Sequence, residues 1–399
     1  MEYRNDSPSL AGGIVLYNYQ KKAIDILKRY NRVILAYDTG LGKSLIVLKA
    51  FENEKILYVG SRTSIISFRE EIKKWYPNKK IWESKDNVLD INKSDIFLIT
   101  IKKHNLVKEI IKNSKCKVIV FDEAHNYFKN KNTQTYWEWG LVLSDIKKQI
   151  PDLKIVALTA TPFVNSKDDY YNIRLMLMDI KNSFVYFDRK THQDVSNEIK
   201  LPKLNVNAIR LQEYFYYYMS KSFKIGDYYT KDKLFSISPK LAGYEKVGFI
   251  NSDKINETLK LLEKLEGKTV IFSQFRKSLQ YLKSFLKPEE CVYVDGTKTI
   301  KKRNEIINEF KNNPKIKYLL ITLKTGGDSL NLQECKNVIF LDLWWTHASL
   351  HQAINRVRRI NSQHNEVNVY LIINTTLGDL KSLQAINRKR KASQILNIL

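Results

Sequence analysis

Gly40, Gly42, Lys43 and Ser44 stand in the stretch RVILAYDTGLGKS, directly after an apolar run and directly before a second one, SLIVLKAF, with helical character. Glycines at such positions let successive backbone N–H groups turn toward phosphate oxygens, the lysine offers a movable cation for the β and γ phosphates, and the Ser44 hydroxyl can ligate Mg²⁺. The strict spacing of such a loop asks for glycine at position 37, where this chain has Tyr37. On that pattern alone, a chemically silent glycine turn stays open as a reading. A second constellation decides between them. KVIVFDEAH is an apolar run ending on two adjacent acids, Asp122 and Glu123, followed by Ala124 and His125. At the carboxyl edge of a parallel sheet Asp122 can hold Mg²⁺ through its water shell, and Glu123 can orient or deprotonate an attacking water. Acids at a strand end can also be plain helix caps, but a phosphate loop and an acid pair, expected on neighbouring strands of one lobe, together point to phosphoryl chemistry.

The elements that would position these residues are legible as an alternation. RVILAY, KILYVG, DIFLIT, KVIVFD and KIVALTAT are short β-rich runs, each followed by a polar segment of helical spacing such as SLIVLKAFEN or SIISFREEIKKWY. Strands separated by helices imply crossover units and a parallel sheet covered on both faces. The same rhythm returns in KTVIFSQF, CVYVDG, KYLLITL, NVIFLDL and NVYLII, so a second α/β lobe is expected. Between the lobes the alternation fades and the text turns Tyr- and Lys-rich, with LPKL marking an extended X-Pro step. The expected organisation is an N-terminal nucleotide lobe over 1–165, a helical connector over 166–250, and a C-terminal lobe over 251–399 ending in a helix around GDLKSLQAINRKRKASQILNIL.

With 399 residues, 43% hydrophobic and 12% aromatic, the chain can build packed cores, which excludes a disordered tail, a mini-protein and a collagen-like rod. Cys116, Cys291 and Cys335 form no CxxC pair, so neither a disulfide framework nor a zinc finger is expected, and the thiols read as reduced. The start MEYRNDSPSL lacks an apolar leader core and no apolar run approaches bilayer length, so an intracellular chain is expected, in cytoplasm, nucleoid or viral factory, with no membrane partner. Lys and Arg total 67 against 42 Asp and Glu, an excess of 25 positive charges that favours a polyanion such as nucleic acid. Because 52 of these are Lys and only 15 Arg, in a chain also crowded with Asn and Ile, part of the basicity also fits an AT-rich coding sequence.

Taken in order, these stretches resemble the superfamily 2 helicases, and among them the SNF2-type DNA-dependent ATPases. LYNYQ, ending in Tyr19 and Gln20, resembles the adenine-reading Q motif; YDTGLGKS, with Thr39, Gly40, Leu41, Gly42, Lys43 and Ser44, resembles the family's Asp-Glu-Met-Gly-Leu-Gly-Lys-Thr; Asp122 to His125 match its DEAH box. LTATP, with Thr159 and Thr161, resembles the segment that couples nucleotide to nucleic acid. TVIFSQF, VYVDG with Arg303, TLKTGGDSLNL with Gly326 and Gly327, and HQAINRVRRI with Gln352, Arg356 and Arg359 follow in the family's order. The resemblance implies two RecA-like lobes, each a parallel sheet flanked by helices, that use ATP and Mg²⁺. Lys43, Asp122, Glu123, Gln352, Arg356 and Arg359 are then the catalytic set, His125, Thr159, Thr161, Gly326 and Gly327 the coupling set, and Ser44 and Asp122 the Mg²⁺ ligands. Independently of that match, a γ-phosphate in transfer spreads negative charge over its oxygens, and guanidiniums stabilise it; Arg356 and Arg359, three apart, are expected on one helical face.

The chain departs from the family pattern at Ser329, where a third glycine is usual, at Thr346 and His347, which replace Asn-Pro, and at Ala160, where SNF2 proteins usually have Gly. The short connector and the lack of a histone-reading module argue against nucleosome remodelling and for a stripped-down motor of the kind found in viruses, phages and mobile elements. The expected activity is translocation on double-stranded DNA without sequence preference; a strand-separating DNA or RNA helicase and an ATP-gated DNA-binding scaffold are the alternatives. His347 and His351 at i, i+4 have no further ligand to complete a zinc site. EYFYYYM, from Glu213 to Met219, reads as packing before base stacking, and RKRK at 388–391 as part of the last helix before a nuclear signal.

Overall fold

The computed structural model describes residues 15–84, 86–162, 167–178, 184–211, 228–238, 241, 253–326, 330–343, 347–360, 362–374 and 377–395. They divide into two compact units, with the chain passing from the first to the second at Lys200 and Leu201.

The first unit runs α1 (Asn18–Arg29), β1 (Arg32–Tyr37), α2 (Lys43–Ala50), β2 (Ile56–Gly60), α3 (Arg62–Trp75), β3 (Ile81–Glu83), β4 (Ile96–Thr100), α4 (Val107–Ser114), β5 (Val118–Phe121), α5 (His125–Phe128), α6 (Gln134–Gln149), β6 (Lys154–Thr159), α7 (Lys167–Leu177) and β7 (Tyr186–Lys190). Its seven strands lie in the order β3-β4-β2-β5-β6-β1-β7, and every pair is parallel. Strands β1, β2 and β5 are buried along their whole length, as strands covered on both faces must be. Helix starts are marked by side-chain caps: Ser61 accepts from the Ser64 amide at the head of α3, and Thr133 from the Tyr136 amide at the head of α6. Trp139 of α6 is fully buried and donates its indole N–H to the Ile101 carbonyl at 2.8 Å, tying that helix to the end of β4.

The second unit runs β8 (Lys203–Leu211), α8 (Tyr228–Ile237), α9 (Asp253–Lys264), β9 (Lys268–Ser273), α10 (Arg276–Lys283), β10 (Cys291–Val294), α11 (Ile300–Asn312), β11 (Tyr318–Thr322), α12 (Leu323–Gly326), β12 (Cys335–Phe340), α13 (His347–Val357), β13 (Glu366–Asn374) and α14 (Leu377–Ile395). Six parallel strands take the order β10-β11-β9-β12-β13-β8. Alternate residues of one strand feed two separate cores: Val270 and Phe272 of β9 join one cluster and Ile271 the other, so helices cover both faces of this sheet. The start of α9 is fixed to the start of α14 by a fully buried ion pair, Lys254 to Asp379 at 2.6 Å, and Asp379 also accepts the Asn374 amide at 3.0 Å. Among the described residues no helix is long and apolar enough to cross a membrane, and all three cysteines are free and buried.

The expected two parallel α/β lobes are present. The described residues of 166–250 contribute α7 and β7 to the first unit and β8 and α8 to the second. Strand β8 pairs with β13 over nine residues, from Lys203 opposite Glu366 to Leu211 opposite Asn374. Both β7 and β8 are edge strands and neither is buried along its length, so YFDRK and KLNVNAIRL carry no continuous apolar run to announce them. The aromatic run at 213–219 lies outside the described residues.

Candidate nucleotide site

Strands β5, β6 and β1 are consecutive in the first sheet, so the loops leaving their carboxyl ends share one edge. Phe121 is in register with Ala157, and Ala36 with Thr159, which brings Asp122 to His125, Thr159 to Thr161 and the glycine loop to that edge. In parallel sheets this is where ligands bind. The phosphate loop and the acid pair are not on adjacent strands: β6, with Thr159 at its tip, lies between them.

The loop is bent by Gly40 and Gly42, at φ 90° and 75°, a left-handed backbone that other residues adopt only with strain. Lys43 opens α2 and places its ammonium 2.7 Å from the Tyr37 carbonyl and 3.2 Å from that of Asp38. Tyr19 and Gln20 are buried on α1 and reach the loop from its side: the Tyr19 hydroxyl donates to the Leu41 carbonyl at 3.1 Å, and Gln20 Nε2 lies 3.5 Å from the same oxygen. A Cβ at position 42 would sit 2.6 Å from Gln20 Nε2, so any other residue there displaces that amide as well as straining the backbone. Tyr37, the residue in the place of the expected glycine, is fully buried, and its hydroxyl donates to Asp188 of β7. Burial and the Asp188 carboxylate hold that phenol far above its ordinary range, so it acts as a neutral donor. The side chain is thus spent on β7.

At the acid pair, the Tyr58 and Ser64 side chains stand beside Asp122 and favour its charged form. Desolvation and the adjacent Glu123 push its carboxyl above the usual range, against the opposing pull of Tyr58, Lys43 and Ser64. Glu123 has φ 49°, a left-handed backbone that is strained for a residue with a side chain. Its Oε2 lies 3.3 Å from His125 Nδ1, which is also 2.9 Å from Thr159 Oγ1. Thr159 Oγ1 in turn accepts the Thr161 amide at 3.1 Å. Burial, with Lys129 adding to it, drives His125 down to about 3, so the ring is neutral. His125, Thr159 and Thr161 therefore form one continuous link from the acid pair to the β6 loop.

These groups fit a nucleotide with its metal. Ser44 and Asp122 are hard oxygen donors of the type Mg²⁺ takes, and a carboxylate raised by burial beside a second acid is one that a cation would stabilise. Thr39 Oγ1 and Glu123 Oε2 are buried without a hydrogen-bond partner among the described residues.

In the second unit Gln352 and the buried Arg356 sit on α13. That helix ends at Val357, so Arg359 lies beyond it and not on a shared helical face; its guanidinium donates to the Leu330 carbonyl at 3.1 Å. The turn is set by Arg358, whose Nε donates to the Pro202 carbonyl at 2.7 Å beside β8. Gly326 closes α12, and Gly327, Ser329, Trp344, Trp345 and Thr346 lie outside the described residues. Residues that the motifs did not announce are Tyr58 and Ser64, which stand beside Asp122, and Asp188 and His192, which hold the loop. The only sequence signal for Ser64 was its place at the start of a helix after β2; Asp188 and His192 gave none.

Residues 13–164 match the family model described as Type III restriction enzyme, res subunit, and residues 253–361 match the one described as Helicase conserved C-terminal domain. An uncharacterized ATP-dependent helicase of Mycoplasma genitalium is 26% identical over 94% of this chain and 42% of its own length. The DNA repair protein rad5 of Neurospora crassa is 34% identical over 33% of this chain and 11% of its own. A protein of Acanthamoeba polyphaga mimivirus named as an ATP-dependent RNA helicase is 25% identical over 88% of this chain and 85% of its own. The chain thus spans less than half the length of the first two of these relatives. Among solved structures, the Sulfolobus solfataricus SWI2/SNF2 ATPase core in complex with dsDNA is similar at 23% identity, with 90% of this chain and 88% of that one covered and a TM-score of 0.41. With the phosphate loop and acid pair inside the first matched region and the arginine-rich helix inside the second, the chain carries both domains of a superfamily 2 helicase and is similar to ATP-dependent members of the SNF2-like type.

Proposed function

We propose that the protein is a motor that hydrolyses ATP to ADP and phosphate and steps along double-stranded DNA. The observation that carries this reading is the convergence, at one edge of the first sheet, of the Gly40 to Ser44 loop, the Asp122–Glu123 pair and the His125–Thr159–Thr161 link. The loop amides and Lys43 would hold the phosphates, and Ser44 and Asp122 would hold Mg²⁺, which would supply charge neutralisation to the nucleotide. Glu123 orients the attacking water and accepts its proton. His125, neutral and bonded to Thr159, transmits the state of the acid pair to the β6 loop. Arg356 and Arg359, with Gln352, stabilise the charge of the phosphoryl group during turnover. The excess of 25 positive charges suits a polyanionic track bound through its phosphates, which makes binding salt-dependent and indifferent to sequence. Similarity to a repair protein of the rad5 kind supports DNA over RNA, and the viral relative named as an RNA helicase makes the comparison worth running.

The direct test is steady-state ATP hydrolysis with duplex DNA, single-stranded DNA and RNA across a salt titration. Strong stimulation by duplex DNA is expected; stimulation by RNA alone overturns the reading, and displacement of an annealed strand moves it to a helicase. Lys43→Ala and Glu123→Gln should each abolish multiple turnover, the second still binding ATP, and Arg359→Ala should lower kcat by about 10³-fold. Intact turnover in Lys43→Ala would remove the loop from the chemistry.

A further inference from the structure

The segment after β7 folds back onto the phosphate loop. The β1–β7 ladder runs one step past the strands, with the Asp38 amide donating to the Lys190 carbonyl at 2.9 Å. Next comes a turn tied by Thr191, whose amide and hydroxyl both donate to Asp194 Oδ2, at 2.7 and 2.8 Å, and anchored by the buried Val195 and Ile199. This turn delivers His192, 7% exposed, to the first half of the loop. The His192 amide donates to Asp38 Oδ2 at 3.0 Å, its Nδ1 lies 3.3 Å from the same carboxylate oxygen, and its Nε2 is 3.0 Å from the Thr39 carbonyl. A carbonyl only accepts, so Nε2 is the donor in that last bond. Farther along, Glu198 accepts the Tyr19 amide at 3.2 Å, so the same turn also braces the helix that flanks the loop.

We propose that His192 is a positioning residue for nucleotide binding. It fixes Asp38 and Thr39, the two residues that lead into Gly40, and so holds the glycine-containing turn in its anion-binding shape before nucleotide arrives. The need is physical. Gly40 and Gly42 have more backbone freedom to lose than any other residue, and a loop ordered in advance does not charge that loss against binding. His192 touches no phosphate; it acts through the two loop residues that it holds. The inference rests on the nucleotide-site reading above.

The test uses the full chain, with Mg²⁺–ATP turnover and calorimetric titration with ADP. His192→Ala should raise KM for ATP and Kd for ADP by about tenfold while kcat stays within about twofold of wild type. His192→Gln, whose amide can reach the Thr39 carbonyl, should recover most of the affinity, and His192→Asn, which reaches only toward Asp38, should not. Unchanged KM and Kd in His192→Ala overturn the inference, as does a loss of kcat and affinity together in proportion to the folded fraction. If His192→Ala does not fold, the Gln and Asn variants decide, and equal affinity in both is the refuting result. Failure of the wild type itself to bind ADP overturns the nucleotide-site reading and the inference with it; wild-type binding, abolished by Lys43→Ala but insensitive to His192, overturns the inference alone.

Discussion

Gly42→Ala separates two reasons for a glycine that usually come together. Gly40 and Gly42 both have left-handed backbones, at φ 90° and 75°, so alanine at either costs about 1–2 kcal/mol in backbone strain. At Gly40 nothing lies within 4 Å of the added Cβ, and the cost ends there. At Gly42 the Cβ would come to 2.6 Å from Gln20 Nε2. That amide ends a flexible side chain and yields by rotating, but it is buried, it lies 3.5 Å from the Leu41 carbonyl, and its oxygen accepts the Tyr17 amide at 3.1 Å. Losing both contacts adds about 1–2 kcal/mol, for a total of about 3 kcal/mol at Gly42 against about 1.5 kcal/mol at Gly40. Because a chain of two units need not unfold in one step, the readout is local: hydrogen exchange in peptides spanning α1 and the loop, together with Mg²⁺–ATP affinity. Gln20→Ala in the Gly42→Ala background removes the overlapped amide, and the double variant should cost about 1–2 kcal/mol less than the sum of the singles. Equal losses at the two glycines, or strict additivity in the double variant, would refute the packing argument.

His125 makes stability depend on pH with a definite sign. Its pKa falls from 6.5 to about 3 on folding, so below pH 6.5 the unfolded chain takes up a proton that the folded one refuses. Stability is fully present above that value and is lost toward pH 3, by up to about 1.4 kcal/mol per pH unit. Asp122, whose pKa is raised on folding, contributes with the opposite sign, so the check is the difference between urea midpoints of wild type and His125→Asn at about pH 7 and pH 5. In the second unit, Asp379→Asn or Lys254→Met leaves one member of a fully buried pair without its counter-charge, and thermal and urea melts should show a loss of about 3–5 kcal/mol. The double variant Lys254→Met with Asp379→Leu should lose less than either single one, and a larger loss would show that the pair itself, and not the stranded charge, carries the stability.

The central strands were legible because burial on both faces leaves only one kind of sequence. VILAY, ILYVG and VIVF are apolar at every position, and each lies inside a sheet. The edges were not legible for the same reason. Strand β3 has three residues, too few to show a pattern, and β7 and β8 carry Asp188, Arg189, Lys203 and Arg210, so those two runs read as linker. At the site, the residues that spacing could find are those close in sequence on loops at strand ends. His192 could not be found that way: it meets Asp38 and Thr39 across more than 150 positions, and nothing in DRKTHQD announces a partner. Arg359 failed differently. Three residues from Arg356 it promised a shared face, but the helix stops two residues short of it, where Arg358 turns toward the start of β8.

Tyr37 and β7 explain each other. Side chains two apart on a strand share a face, so Tyr37 and Leu35 point the same way, and Asp188 stands opposite Leu35 in the register of the two strands. The Tyr37 hydroxyl therefore reaches Asp188 diagonally across the ladder. What the loop takes from position 37 is then only a carbonyl, which Lys43 approaches at 2.7 Å and which any residue supplies. A bulky aromatic here is compatible with phosphate binding on one condition, that a neighbouring strand offers it both cover and an acceptor. The edge strand that the sequence concealed meets that condition, and two residues beyond its end it also brings His192 to Asp38 and Thr39.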